Sequence, residues 1–354
     1  GFSKPFGGYL STEINDSIRQ ILFERGEKKL LVDYFQKYAS YPFETLYSWV
    51  RLGRDKEKLP VLQEVLREIF LEMDGRFRVN IPQRPHHPRN LLKFLEQIWG
   101  LSERTPGFLF TLNQDSLLEE TPFSEHPELP GLGVASSTRL RLVSGRSDDA
   151  PYPDSIQVPS SIENYKNWNL SSLNYVKLHG SFDWVSKDGG SEVMVIGAGD
   201  KKKQINQFQI LREYFNLFSD ALNKSFRLIV IGYSFNDDHI NKAIWQAMKE
   251  YDLKLFTVSP LPHSKQIIST SDSSYINPND FTNSQNVLLL SKFEKAEATL
   301  LPSPTDRKGR EGIEAILWNN WLHFQASGDE WLTDEVLLGR LFKKHKDTAA
   351  ALRA

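Results

Sequence analysis

Apolar residues in the first third of the chain recur with the spacing of α-helices. From Val61 to Met73 they fall on one helical stripe, and a second stripe runs from Leu91 to Trp99 after a proline-rich break. Residues 11–23 and the aromatic stretch 34–49 continue the same character. We therefore predict that residues 11–105 are mostly helical.

The pattern changes at Phe108, where short apolar runs lie between turn residues. Such runs are typical of strands buried on both faces of a parallel sheet. The predicted strands cover residues 108–111, 175–178, 193–196, 227–231, 253–258 and 287–290. Helical stripes at 210–222 and 240–248 alternate with them. This alternation predicts an α/β fold with a doubly wound, Rossmann-like parallel sheet.

Two further segments have a distinct character. Residues 122–161 are rich in proline, glycine, serine and aspartate, which predicts a long loop. After Asn319 the pattern is read as helical again, and the C-terminal region ends in a basic tail. We interpret that tail, and the lysines at 201–203, as solvated surface.

Composition and charge exclude several classes of protein. The 354 residues are long enough for two or three domains, and a formal charge of −2 leaves no global attraction to nucleic acid or anionic lipid. The chain has no cysteine, which excludes disulfides, thiol nucleophiles and cysteine-ligated zinc. No run approaches the roughly 18 apolar residues of a membrane span. We expect a soluble, cytoplasmic protein without membrane contact.

Ligands of open α/β sheets bind beyond the carboxyl ends of the strands, so residues that follow strands are the candidates. Asn113 and Asp115 follow the strand at 108–111, although an Asx turn that caps a helix is an alternative reading. His179 ends the strand at 175–178 and precedes Gly180, which allows a ligand close to the backbone. A purely structural histidine is the alternative there.

Two glycine-containing turns add groups that suit a phosphate. The opening residues Gly1, Phe2 and Ser3 precede a helical segment, and Gly232 and Ser234 follow the strand at 227–231. An ordinary N-terminal loop is the alternative for the first turn. Next to the second turn, Asp237 and Asp238 are interpreted as helix caps rather than metal ligands.

Two other motifs are set aside. The Gly-Ala-Gly at 197–199 imitates a dinucleotide loop, but residues 200–204 do not open a clear amphipathic helix. The adjacent His86 and His87 have no nearby ligands that would complete a metal site. We therefore expect no metal.

Four motifs, taken in chain order, resemble the sirtuin (silent information regulator) family. They are Gly-Phe-Ser at 1–3, Thr-Leu-Asn-Gln-Asp at 111–115, Lys-Leu-His-Gly-Ser at 177–181 and Ile-Gly-Tyr-Ser-Phe-Asn-Asp at 231–237. More narrowly, the set is similar to the zinc-less bacterial sirtuin-like effectors that destroy NAD in antiphage defence. The resemblance implies NAD as the substrate.

The resemblance also implies a role for each matching residue. His179 corresponds to the catalytic histidine, and Asn113 to the asparagine near the nicotinamide ribose and the attacking water. Asp115 corresponds to the aspartate near the carboxamide. Gly232 and Ser234 correspond to residues that hold the ADP-ribose part. Gly1, with Phe2 and Ser3 after it, would be the last glycine of the loop that binds the NAD phosphates.

The chain departs from the family in two ways. The strand and Gly-Ala expected before Gly1 are missing, so the sequence looks as if it has lost its beginning. The four-cysteine zinc module of the deacylating members has a helical insertion in its place. We accordingly predict an NAD-binding α/β domain from residues 1–14 and 106–300, a helical insertion at 15–105 and a helical C-terminal region at 301–354.

The resulting hypothesis is an NAD glycohydrolase that a partner or an assembly activates. Its partners would be NAD and either further copies of the chain or a defence protein, with nucleic acid reached only through a partner. An NAD-dependent protein deacylase or ADP-ribosyltransferase is one alternative. A non-catalytic sensor that binds NAD or ADP-ribose is the other.

Overall fold

The computed structural model describes residues 11–26, 29–38, 40–41, 43–53, 56–83, 107–116, 156–158, 173–186, 192–197, 201–225, 227–233, 235–259 and 321–325. The chain forms two compact units, one ending at Phe215 and one beginning at Asn216. The elements predicted at 91–99 and 287–290 lie outside the described residues.

The N-terminal part of the first unit is helical, as its apolar spacing predicts. Its helices are α1 (Ser11–Glu24), α2 (Lys29–Lys37), α3 (Phe43–Leu52) and α4 (Leu59–Gln83). A short 3-10 turn at Lys56–Lys58 leads into α4. Pro60 lies in the first turn of α4, where a missing N–H costs no hydrogen bond.

The remainder of the first unit combines short strands with helices. Its strands are β1 (Gly107–Thr111), β2 (Ile156–Val158), β3 (Leu173–Lys177), β4 (Gly180–Ser186) and β5 (Glu192–Met194). Strand β1 pairs with β3 in parallel, while β4 pairs in parallel with β2 and antiparallel with β5. Two helices follow, α5 (Lys201–Gln207) and α6 (Gln209–Lys224), and the boundary between the two units falls within α6.

The apolar stripe of α4 forms much of the core of this unit. Leu62, Val65, Leu66 and Ile69 are completely buried, and burial of each such side chain contributes about 1.5–3 kcal/mol. The next residue of the stripe, Phe70, stacks on a ring of β4, that of Phe182, with centroids 5.6 Å apart and planes 14° apart. Helix α4 and strand β4 therefore share one core.

Three sequence predictions for this unit are wrong in detail. β2 lies inside the segment 122–161 that was expected to be a loop, and three residues are too few to show a period. β4 is missing from the predicted strands, whereas the chain turns at His179 and enters this strand at Gly180. Residues 200–204 were not expected to open an amphipathic helix, but α5 begins at Lys201 and buries Gln204 and Ile205, while Lys202 and Lys203 are exposed as predicted.

The second unit alternates strands and helix. It contains β6 (Arg227–Ile231), α7 (Asp238–Tyr251), β7 (Lys254–Ser259) and β8 (Trp321–Gln325). The three strands are parallel and neighbour one another in the order β6-β7-β8. Helices and parallel strands in both units confirm the α/β class.

The helix expected after Asn319 is wrong for residues 321–325, which form a strand, while the rest of this region lies outside the described residues. Trp321, Leu322 and Phe324 are bulky apolar residues that favour a pleated surface when a partner strand is present. β7 supplies that partner along five consecutive positions, from Leu255 opposite Trp321 to Ser259 opposite Gln325.

Among the described residues, no helix combines the length and the apolar character needed to cross a membrane.

A half-buried carboxyl on β5 makes the stability of the first unit depend on pH. Burial raises the pKa of Glu192 above its ordinary value of 4.5, and the Arg67 guanidinium counteracts part of this shift. Burial and the Glu192 charge together raise the pKa of Tyr47, on α3, to about 12. A carboxyl with a raised folded-state pKa favours folding when protonated, and this contribution is lost as pH rises through the folded-state pKa.

Glu192→Gln removes this titration. We expect the variant to unfold at a higher temperature than the wild type at about pH 7, with the difference shrinking towards about pH 4. Thermal unfolding at several pH values measures this, with Glu57→Gln as the control because Glu57 is exposed. A variant that is less stable than the wild type at neutral pH would show that attraction to Arg67 outweighs the cost of burial.

Candidate active site

The predicted catalytic histidine lies in a tight turn between two strands. β3 ends at Lys177, and β4 begins at Gly180 after a two-residue turn that contains His179. His179 is 1% exposed. Its carbonyl oxygen accepts a hydrogen bond of 2.8 Å from the amide of Val195, just past β5. The turn is therefore fixed by the neighbouring chain.

Gly180 is required by the geometry of this turn. Its φ of +71° lies in the left-handed region, which only glycine adopts without cost. A Cβ atom at this position would also collide with the carbonyl oxygen of Val193. The His-Gly pair of the motif thus has a structural reason in addition to access for a ligand.

Asn113 and Asp115 lie in the loop that follows β1. The amide of Asn113 donates to the hydroxyl oxygen of Thr111, the last residue of β1, at 3.1 Å. Asn113 is half-buried, and Asp115 is 7% exposed. The hydrogen bond to Thr111 holds the start of this loop close to the end of β1.

The structure brings the Asn113 loop and the His179 turn together. β1 and β3 are paired, with Thr111 opposite Lys177, and the amide of Leu178 donates to the carbonyl oxygen of Thr111 at 2.9 Å. The Ser181 hydroxyl donates to the carbonyl oxygen of Gln114 at 3.1 Å. The two loops thus leave the same edge of the sheet, where one bond ties the turn to the end of β1 and the other ties the Asn113 loop to β4.

Lys177, at the end of β3, fixes the Asn113 loop through a hydrogen bond. Its ammonium is fully buried and donates to the carbonyl oxygen of Asp115 at 2.6 Å. A buried charge is tolerated only where hydrogen bonds replace water. This bond fixes the backbone of Asp115 relative to β3.

Sequence reasoning did not identify Lys177, Gln114 or Ser181 as parts of the site. A signal existed for Lys177, because a lysine inside the apolar run 175–178 has to find a buried partner. No sequence signal indicates the bonds of Gln114, since its partners lie 67 or more positions away.

In the second unit, Gly232 opens a loop that is organised by hydrogen bonds of the half-buried Tyr233. Gly232 follows β6 with φ +66°, and Phe235 also has a positive φ, +54°. The Tyr233 hydroxyl donates to Oδ1 of Asn241 at 3.0 Å and accepts the amide of Asp237 at 3.1 Å. Burial, and then the Asp237 charge, raise the pKa of Tyr233 well above its ordinary value, so the phenol stays a donor.

Only one of the two aspartates that were interpreted as helix caps occupies a cap position. Asp237 is the N-cap residue of α7, but its side chain makes no capping hydrogen bond. Asp238 lies in the first turn of α7. Among the residues that the structure describes, no group of three or more His, Cys, Asp or Glu side chains is arranged to hold a metal ion.

Four of the predicted binding residues are not described. Gly1, Phe2, Ser3 and Ser234 lie outside the described residues. The described candidates are therefore His179, Asn113 and Asp115 in the first unit and Gly232 in the second.

Comparison with known proteins relates part of the chain to a known domain family. Residues 107–279 match the family model described as "SIR2-like domain". This match supports a sirtuin-like family and an NAD-dependent enzyme activity for this part of the chain. It includes Asn113, Asp115, His179, Gly232 and Ser234. No curated protein matches the chain.

Proposed function

We propose that this protein is an NAD glycohydrolase, which converts NAD and water into nicotinamide, ADP-ribose and a proton. One observation carries the proposal: hydrogen bonds from Leu178 to Thr111 and from Ser181 to Gln114 hold the Asn113 loop and the His179 turn side by side at the carboxyl ends of two paired parallel strands. The SIR2-like match over residues 107–279 supports NAD as the substrate.

The proposed mechanism uses the residue types at this junction. The bond between nicotinamide and ribose breaks through an oxocarbenium-like centre, as in glycoside hydrolysis, and nicotinamide leaves as a neutral ring that needs no protonation. Water then forms the new bond to the ribose carbon. His179 accepts the proton from water or a ribose hydroxyl, Asn113 orients the ribose and the water, and Asp115 holds the carboxamide.

The remaining binding groups complete the proposal. Gly232 and Ser234 contact the ADP-ribose part of NAD, and Gly1, Phe2 and Ser3 approach its phosphates. We also propose that the parallel strands form a doubly wound sheet. The proposed domain division sets residues 15–105 and 301–354 apart from the NAD-binding domain.

Hydrolysis is favoured over protein deacylation by composition. The deacylating sirtuins carry a four-cysteine zinc module, and this chain has no cysteine. A helical segment takes its place in the sequence, and the described helices α1 to α4 lie there.

We extend the proposal to a cytoplasmic effector of bacterial antiphage defence that assembly or a partner activates. An aromatic cluster on α2, α3 and their connection supports a contact surface. Trp49 is 40% exposed and Tyr41 45% exposed, with ring centroids 5.1 Å apart. Exposed aromatic clusters of this kind favour protein contacts. A monomer at all concentrations in light scattering, with no copurifying protein, would remove this extension.

The test separates the three functions by their products. The purified full chain, with any protein that copurifies, is incubated with NAD and an acylated peptide, and products are separated by chromatography. We expect nicotinamide and free ADP-ribose with an unchanged peptide. Loss of the acyl group, or ADP-ribose attached to protein, would indicate the deacylase or transferase instead. Tight NAD binding in calorimetry without turnover would indicate the sensor.

Tyr233→Phe tests the role of the Gly232 loop. The change leaves Oδ1 of Asn241 and the amide of Asp237 without this hydroxyl, and loss of a buried partner costs about 1–3 kcal/mol. We expect lower stability in urea unfolding and NAD affinity about tenfold weaker in calorimetry.

Tyr251→Phe is the matched control, because Tyr251 lies at the end of α7 and is 46% exposed. It should resemble the wild type in both measurements. NAD affinity that is equal in all three proteins would remove the Gly232 loop from the proposed binding site.

A further inference from the structure

Gln114 closes a ring of hydrogen bonds around the candidate site. Its side-chain Nε2 donates to the carbonyl oxygen of Val195 at 2.9 Å. The amide of Val195 donates to the carbonyl oxygen of His179 at 2.8 Å. Two residues after His179, the Ser181 hydroxyl returns to the carbonyl oxygen of Gln114. The ring thus includes the histidine turn and the residue directly after Asn113.

The sheet alone does not hold the Val195 side of this ring. β5 ends at Met194, and its pairing with β4 is irregular between Gly180 and Val185. Val195 is fully buried, so its carbonyl needs a hydrogen-bond partner. The side-chain amide of Gln114, on the loop that carries Asn113, supplies that partner.

We propose that Gln114 is a positioning residue, which sets the distance between Asn113 and His179 by anchoring Val195 to the Asn113 loop. This inference rests on the proposed function, and it adds a residue that acts through its neighbours. Reacting groups that are displaced by about 1 Å can cost roughly 10²-fold in rate. Loss of the Gln114 side-chain amide should therefore lower kcat and leave substrate binding nearly unchanged.

A closely matched control is a second glutamine, whose side chain bonds to the carbonyl oxygen of the residue directly after Val195. Nε2 of Gln204 donates to the carbonyl oxygen of Ile196, also at 2.9 Å. Gln204 lies on α5, and this bond reaches neither the Asn113 loop nor the His179 turn. Gln114→Met and Gln204→Met each remove one glutamine-to-carbonyl bond at neighbouring positions.

The experiment compares the kinetics of NAD cleavage with stability. We expect the melting temperature to fall by a similar amount in both variants. Only Gln114→Met should lose about 10- to 100-fold in kcat, with KM for NAD within about twofold of the wild type. Equal kcat in the two variants would overturn the inference while leaving NAD cleavage in place. If Gln114→Met does not fold, Gln114→Glu replaces it, because it keeps the shape and lacks the donor when ionised.

A second measurement is independent of activity. Imidazole resonances of His179 are assigned by comparison with His179→Ala among the eight histidines of the chain. They should shift in Gln114→Met and stay unchanged in Gln204→Met. If the wild type does not cleave NAD, the proposed function fails and these resonances alone decide the role of Gln114. Unshifted His179 resonances in Gln114→Met would overturn the inference.

Discussion

His179→Ala and Asn113→Ala are each expected to abolish NAD cleavage. A positioned general base is typically worth about 10²–10⁴-fold in rate, and Asn113 orients the groups on which that base acts. Both approach the same ribose, so their losses are not additive and the double variant should be scarcely slower than the worse single one. Nicotinamide release, measured by chromatography, gives these rates.

Binding and stability provide the controls for this pair. NAD affinity should largely survive in His179→Ala, because Gly232 and the other proposed contacts to ADP-ribose are unchanged. His263→Ala should behave like the wild type, since His263 is predicted to lie in a loop, although it falls outside the described residues. Near wild-type turnover in His179→Ala, at an unchanged melting temperature, would contradict the role of His179.

Gly180→Ala is expected to destabilise the first unit and to reduce activity together. The left-handed conformation alone costs a residue with a Cβ about 1–2 kcal/mol. The added Cβ also collides with the backbone of Val193, which cannot move without disturbing the Val195 bond to His179. We expect a lower melting temperature and a loss of kcat in the same variant.

Gly26→Ala separates the cost of the left-handed conformation from the cost of the collision with Val193. Gly26 follows α1 with φ +63°, close to the +71° of Gly180, but a Cβ there would meet nothing within 4 Å. This variant should lose only the conformational part of the stability and keep full activity. If both variants lose the same stability and Gly180→Ala stays active, close packing at the His179 turn has no part in the function.

The fold was predictable where periodicity extends over many residues. The stripe at 61–73 correctly predicts α4, and the apolar runs at 108–111 and 227–231 correctly predict β1 and β6. β2 and β8 were not predictable in this way. β2 has only three residues, too few to show a period, and His323 interrupts the apolar residues of β8, which therefore lacks the continuous run that marks β1 and β6.

The candidate site shows the same division between local and distant information. Residue type and position after a strand predict Asn113, Asp115 and His179, because the carboxyl ends of parallel strands meet at one edge. The ring through Gln114 depends on Val195, which lies 81 positions away. Its carbonyl is available to Gln114 only because β5 folds back beside the His179 turn, and no sequence pattern encodes that placement.

The most direct test of the account is a product analysis of the full chain, with any protein that copurifies, beside His179→Ala. NAD, nicotinamide and ADP-ribose are followed over time by chromatography. The account predicts that nicotinamide and free ADP-ribose appear in equal amounts as NAD disappears, and that neither appears with His179→Ala. NAD that stays intact with the wild type, or is consumed equally by both proteins, would contradict it.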